Sequence, residues 1–348
     1  MSRPTKIISR PVCRLEDRPV AGPFSVSGYG PVFNAGLIYH QGSFHMFARA
    51  VRDGYRVNPA WLEKPELVDR FLDYVSDIVV LTSTDGVDYS FAYVLVEAGT
   101  GEAICFEDPR VQWVADEVVM TYTWLPPADR RPWRIGAHRL RWDGARFWLK
   151  DDSARLLGPA GVENKDGVVF ELADGRVALV HRVWPSMHLA VFDNLDSLWD
   201  ADNSYWGPYM AELDNHVLLS PNPGAFSVGA GAPPVPTEAG LLFLYHERRG
   251  DGSYASYAAL LDRSTGKVIS RLAEPILEPE LEWERQGDVD NVIFVQGVHC
   301  TGDDLYMIYG AADRYVGAAI ASVSRLLDAL TSAAWPAHPV RENLRTGS

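Results

Sequence analysis

Along this chain of 348 residues, apolar side chains recur at every second position in short runs bounded by turn residues, which is the pattern of half-buried strands. One pair of runs recurs five times: an apolar strand opening near a polar residue, a tight turn, then a strand alternating apolar and aromatic residues. The first runs from Val32 to Ile38, turns at Gln41-Gly42 and returns through Phe44 to Phe47. The second joins Glu107–Val111 to Val118–Met120, and the third joins Lys165–Phe170 to Val177–Val180. The fourth joins Gly231–Val235 to Leu241–Tyr245, and the fifth Asn291–Phe294 to Leu305–Tyr309. With Asn34, Asp108, Asp166, Pro233 and Asn291 as markers, the copies lie 74, 58, 67 and 58 residues apart, enough for a four-stranded sheet with its loops. Five such sheets around an axis make an all-β, five-bladed β-propeller, in which radial repetition leaves few unprotected strand edges. Generic hairpins of a two-sheet sandwich are the competing reading.

Helix signals are sparse. Asp69–Val75 and Val323–Leu330 read as short helices, the second closing the folded part of the chain. The expected organisation is an N-terminal extension over 1–30, one propeller domain over 31–330 and a polar, Pro-containing tail over 331–348. Residues 52–76 interrupt the first copy with more chain than a hairpin needs, as a lid or an excursion would.

Composition narrows the partners. A formal charge of −14 gives no electrostatic reason to approach nucleic acid or an anionic membrane. Cys13, Cys105 and Cys300 are far apart and odd in number, which suits reduced thiols in a cytoplasm better than a disulfide framework. The N-terminus is basic but lacks the apolar run of a signal peptide. No metal-ligand, phosphate-loop or serine-nucleophile motif is visible, so neither a metal nor a cofactor is expected. Eleven tryptophans are plentiful for a soluble acidic chain; such rings fill β-rich cores or face flat ligands such as sugars.

If the first strand of each blade is innermost, polar residues at its start converge on the mouth of the central channel. Glu107-Asp108-Pro109-Arg110 is the strongest cluster, because two carboxylates and a guanidinium within an apolar strand are costly to bury. They either serve a site or pair with each other at a turn. Asn164-Lys165-Asp166-Gly167, with His181-Arg182 on the strand that pairs with it, is either a set of sugar-hydroxyl partners or an ordinary turn. Tyr245-His246-Glu247-Arg248-Arg249 offers a histidine that is an anion ligand or a rim residue. The glycine-rich Gly229–Ala232 lacks the spacing of a nucleotide loop.

Taken in order, these motifs resemble glycoside hydrolase family 130, the β-mannoside phosphorylases and β-mannosidases. The likeness runs from about Phe33 to Ala321 through Phe33-Asn34, Glu107-Asp108-Pro109-Arg110, Asn164-Lys165-Asp166, His181-Arg182, Gly231–Pro234, Tyr245-His246, Gly287-Asp288-Val289 and Tyr309–Asp313. It implies a five-bladed propeller and an inverting reaction with Asp108 as general acid, its proton passed directly or through a mannose hydroxyl. It further implies substrate contacts from Asn34, Arg49, Glu107, Arg110, Asn164, Lys165, Asp166 and Asp313, and a phosphate site, where there is one, from Arg182, His246 and Tyr254. The chain departs from the phosphorylase pattern where Pro236 replaces a lysine and Glu247 a glycine; Glu163 also precedes Asn164. Loss of a cation and gain of carboxylates favour water activation over phosphate. The leading expectation is therefore an inverting glycosidase of β-mannosides or related small oligosaccharides, with Glu163 or Glu247 as base. The alternatives are a phosphorylase using inorganic phosphate to release mannose 1-phosphate, and a non-catalytic glycan-binding propeller. Oligomeric state is open.

Overall fold

A computed structural model describes residues 12–64, 70–99, 105–126, 132–151 and 154–332. Its strands form five antiparallel sheets around a common axis, a β-propeller, as the repeat predicts. Blade one comprises Tyr29–His40, Ser43–Arg52, Ser76–Ser83 and Ser90–Val96. Blade two comprises Cys105–Val114, Glu117–Leu125 and Arg134–Trp142, with Phe147–Leu149 and Arg155–Leu157 both on its outer edge. A single parallel bridge, Ser76 to Cys105, joins these two blades. Lys165–Glu171, Val177–Val183, Ser186–Phe192 and Val217–Leu219 make blade three. In blade four the inner position is split between Ser227–Ala230 and Val235–Thr237, both paired with Gly240–Arg248, followed by Tyr254–Leu261 and Val268–Arg271.

Blade five takes Ile293–Thr301, Asp304–Ala311 and Tyr315–Ser322 from the end of the chain and Val12–Arg14 from its beginning. Part of the stretch expected as an N-terminal extension thus completes the last sheet. Without it, Tyr315–Ser322 would be an open edge. Arg14 holds the closure through Glu284, at 2.6 and 2.8 Å, and Glu280, at 2.9 Å.

The core lies between blades. Leu244, Ile293, Met307 and Tyr309 pack where blades four and five meet, and Phe47, Val80, Phe106 and Met120 where one meets two, all buried. The Val323–Ser332 helix forms as expected and buries Val323, Leu326 and Leu330. Of the expected Asp69–Val75 helix, residues 70–75 are described and are not helical: Phe71–Leu72 pairs with Arg56–Val57, and Asp73 adopts a left-handed conformation with φ of 58°. Strand pairing overrides its local helix signal. Helices Leu195–Trp199 and Asn203–Ala211, absent from the sequence reading, fill the connection before the last strand of blade three. Of the expected 331–348 tail, only the end of the C-terminal helix falls within the described residues. No described helix is long and apolar enough to cross a membrane.

Candidate active site

Three inner strands carry a β-bulge at one level. The register slips between Phe33 and Ala35, between Glu107 and Arg110, and between Lys165 and Val168. At these slips Asn34, Asp108 and Asp166 have φ of 45°, 53° and 55°. Asn and Asp tolerate this left-handed geometry better than other non-glycine residues, and a bulge re-aims a side chain out of the pleat. The three polar groups therefore turn together into a cavity of about 230 Å³ at the channel mouth. Pro233, the fourth marker, has no such role.

On one side stand residues of blades one, two and five. Asn34 Nδ2 donates to Asp108 Oδ1 at 2.9 Å, and Arg49 Nη1 lies 3.5 Å from the same oxygen while its Nη2 pairs with Glu107. Asp313 completes this wall, with a buried Oδ1 that has no hydrogen-bond partner among the described residues. Burial pushes its carboxyl up to about 7; Arg49 opposes the shift, while Asp108 and Glu107 add to it. Burial likewise raises Glu107, which Arg49 only partly counters.

The other side belongs to blades three and four: Lys165, Asp166, Arg182, His246 and Tyr254. Burial would raise the Asp166 carboxyl, but Arg182 at 3.0 Å and Arg110 at 3.2 Å outweigh it and hold it well below the carboxylate range. His246 Nε2 is 3.8 Å from Asp166, yet burial dominates and lowers the imidazole to about 3. It is neutral at physiological pH, and its buried Nδ1 has no hydrogen-bond partner among the described residues. Val289, Val292 and Phe294, which sequence reasoning missed, line the remaining wall. Apolar residues after the Gly287-Asp288 turn carried no signal of their own.

The glycine-rich stretch has a packing role here. A Cβ on Gly229 would overlap the Asp166 carboxylate and lie 2.6 Å from His246 Nε2, so only glycine lets blade four come this close.

Four expected site residues lie outside the cavity. Glu163 is exposed on the loop before blade three. Glu247 follows His246 on a strand and so faces the opposite way, buried against the Asn222 amide at 3.1 Å and Arg271 at 3.9 Å. Neither lines the cavity. Arg110 is buried behind the wall, tying Asp166 to the carbonyls of Ala230, Gly231 and Asp108. Asn164 is fully buried and bonded to His181 Nδ1 at 3.0 Å, while His181 Nε2 meets Tyr209 Oη at 2.8 Å. In this structure both brace other residues and neither lines the cavity. Pro236 is exposed in the Val235–Thr237 strand beside its turn, away from the cavity, so the absence of lysine there removes no cation from this wall.

A propeller with this cleft is the architecture of a carbohydrate-active enzyme, and comparisons with known proteins agree. The family model for β-1,4-mannooligosaccharide phosphorylase matches residues 2–332, and the chain belongs to that family, glycoside hydrolase family 130. It is 32% identical over 320 residues to a β-1,2-mannobiose phosphorylase of a Thermoanaerobacter species, covering 88% of this chain and 96% of that protein. The fold matches the β-1,2-mannobiose phosphorylase of Listeria innocua, in complex with β-1,2-mannobiose, with a TM-score of 0.74 at 22% identity over 92% of this chain and 99% of that one. A structure described among family glycoside hydrolases that target β-1,2 mannosidic linkages in Candida mannan gives 0.67 at 22% identity, over 89% and 93%. At such identities the last two speak for the fold alone. Among the described residues, no group of three or more His, Cys, Asp or Glu side chains is placed to hold a metal ion.

Proposed function

We propose that this protein is an inverting β-mannoside phosphorylase, which transfers a terminal β-mannosyl group to inorganic phosphate and releases mannose 1-phosphate. The observation that carries this reading is the wall facing Asp108. It offers Lys165, Arg182, a neutral His246 and Tyr254, and its only carboxylate among the described residues, Asp166, is held by two arginines. Water attack would need a base there, and both glutamates expected for that role lie elsewhere. The phosphorylase relatives point the same way.

In this reading the sugar sits between the walls. A phosphate oxygen, held by Arg182 and Lys165, attacks C1 from the side of blades three and four. The bond from C1 to the glycosidic oxygen breaks on the Asp108 side, and the departing oxygen takes the Asp108 proton, directly or through a sugar hydroxyl. Arg182 uses Nη1 for Asp166, leaving the rest of its planar fork for the anion. The fixed charges need no rearrangement as the transition state forms.

The test is sugar release from a panel of β-mannosides with and without inorganic phosphate, resolving mannose from mannose 1-phosphate. Mannose 1-phosphate appearing only with phosphate supports the proposal. Free mannose formed at a phosphate-independent rate would return the chain to the hydrolase reading.

A further inference from the structure

The wall that faces Asp108 is braced from behind. Lys165 and Arg182 are partners across the first two strands of blade three, and both line the cavity. Each follows a fully buried polar residue: Asn164 precedes Lys165, and His181 precedes Arg182. Since neighbours on a strand face opposite ways, His181 points away from the cavity that Arg182 lines. The two buried residues meet each other, with Asn164 Nδ2 at 3.0 Å and Oδ1 at 3.3 Å from His181 Nδ1. On the far side of the imidazole, His181 Nε2 lies 2.8 Å from Tyr209 Oη on the Asn203–Ala211 helix. Both ends of this run of hydrogen bonds are fixed. The buried Tyr209 ring stacks on His216 with centroids 4.0 Å apart and meets Trp206 edge-on at 5.2 Å. Asn164 donates its backbone N–H to the Trp133 carbonyl at 3.0 Å, and a Cβ on Gly158 would stand 2.5 Å from its Nδ2.

Burial lowers the His181 imidazole to about 3, so at physiological pH it is neutral and has one N–H and one ring lone pair to place. The Asn164 amide nitrogen is the nearer group to Nδ1, so Nδ1 accepts and the proton sits on Nε2, which donates to Tyr209 Oη. The phenol oxygen thereby fixes the tautomer and the tilt of a ring set between the Arg182 strand and the Asn164 amide. Removing it leaves a buried N–H without its acceptor. The ring then regains a hydrogen bond by turning or by changing tautomer, and either movement takes the acceptor away from Asn164. Anion binding by a planar guanidinium depends on its direction, so a small turn of the strand end weakens it, while the Asp108 wall, carried by other blades, stays in place. We propose that Tyr209 is a positioning residue for the phosphate side of the cleft: through His181 and Asn164 it holds the backbone from which Arg182 and Lys165 reach the anion. The inference rests on the phosphorylase reading. Tyr209 itself does not line the cavity.

The experiment compares two variants of the same helix. Tyr209→Phe removes one oxygen and keeps the stacked ring, whereas Tyr205→Phe removes a hydroxyl that is bonded elsewhere, to the Val191 carbonyl at 3.2 Å. In phosphorolysis of the best substrate of the β-mannoside panel, Tyr209→Phe should raise KM for phosphate about tenfold, the effect of one buried hydrogen bond. KM for the mannoside and kcat should change by less than about twofold. Tyr205→Phe should leave all three as in the wild type, even if the melting temperatures of the two variants fall together. A phosphate KM within about twofold of the wild type in Tyr209→Phe, or an equal rise in both variants, overturns the proposal. If the wild type neither uses phosphate in turnover nor binds it in calorimetry, the phosphorylase reading fails, and NMR of protein labelled with nitrogen-15 arginine judges the brace by itself. The Arg182 Nε–H signal, assigned with Arg182→Lys, is then expected to shift in Tyr209→Phe and to stay in place in Tyr205→Phe. An unmoved signal in Tyr209→Phe, or an equal shift in both variants, overturns it.

Discussion

Asp108 is held in a left-handed bulge by Asn34 and Arg49, which fixes the orientation of its carboxyl before any sugar arrives. Asp108→Asn is nearly isosteric and keeps the bulge. It should lower turnover by on the order of 10²–10⁴, the usual loss of a general acid, with an unchanged circular dichroism spectrum. Arg182→Lys keeps a positive charge toward Asp166 but loses the planar fork, so KM for phosphate should rise about tenfold with little change in KM for the mannoside. Asp313 binds its proton more tightly folded, near 7, than unfolded, near 3.8. Between these values the native state holds more protons, so its contribution to stability is full below 3.8 and is lost as pH rises through 7. The melting temperature of the wild type should therefore fall more steeply over this window than that of Asp313→Asn; parallel curves in calorimetry would show that Asp313 is not the group responsible.

The elements matter because the bulged strands must lie close enough to share one cavity. Blades one and two meet where Gly36 faces the backbone of the second blade. A Cβ there would stand 2.7 Å from the carbonyl oxygen of Pro109 and 3.0 Å from the Cα of Arg110, neither of which can swing aside. Gly36→Ala should cost about 1–3 kcal/mol in urea denaturation, as overpacking does. It should also lower kcat, because the displaced strand carries Asp108. The described parts of the segment that interrupts blade one are anchored as well: Tyr55 donates to Asp288 at 2.5 Å and packs edge-on against Phe71 and Tyr74. They serve as a wall of the cleft.

For the whole molecule, closure is the critical event. A propeller whose last sheet lacks its outer strand has an open edge, and here that strand comes from the other end of the chain. Arg14 reaches Glu284, which is fully buried and also receives the Tyr309 hydroxyl and the amides of Glu280 and Leu281. Arg14→Ala leaves that carboxylate without its cation, which should cost about 3 kcal/mol by the precedent of broken buried pairs. Thermal unfolding of the variant checks this, and a melting temperature equal to that of the wild type would mean that the closure strand is held by its backbone bonds alone.

The alternation of apolar residues and its fivefold recurrence were legible without coordinates, because burial on one face of a strand imposes a period of two and a propeller repeats one solution five times. So were Asn34, Asp108 and Asp166, polar residues at a matching place in each repeat, although their left-handed bulges were not. The direction in which side chains point was beyond the sequence. His246 and Glu247 are adjacent, and only the strand's register decides that the first lines the cavity while the second is buried away from it. Arg110 and Asn164 look like ligands in their motifs and become supports once Asp166 and His181 are placed beside them. The sequence alone carried the repeat that predicts the fold and the Glu107-Asp108-Pro109-Arg110 motif that nominates Asp108 as acid, since both are written in local pattern. The make-up of the opposite wall, on which the proposal of phosphate over water rests, came only from the tertiary structure, because that wall is assembled from blades whose residues meet only when the ring closes.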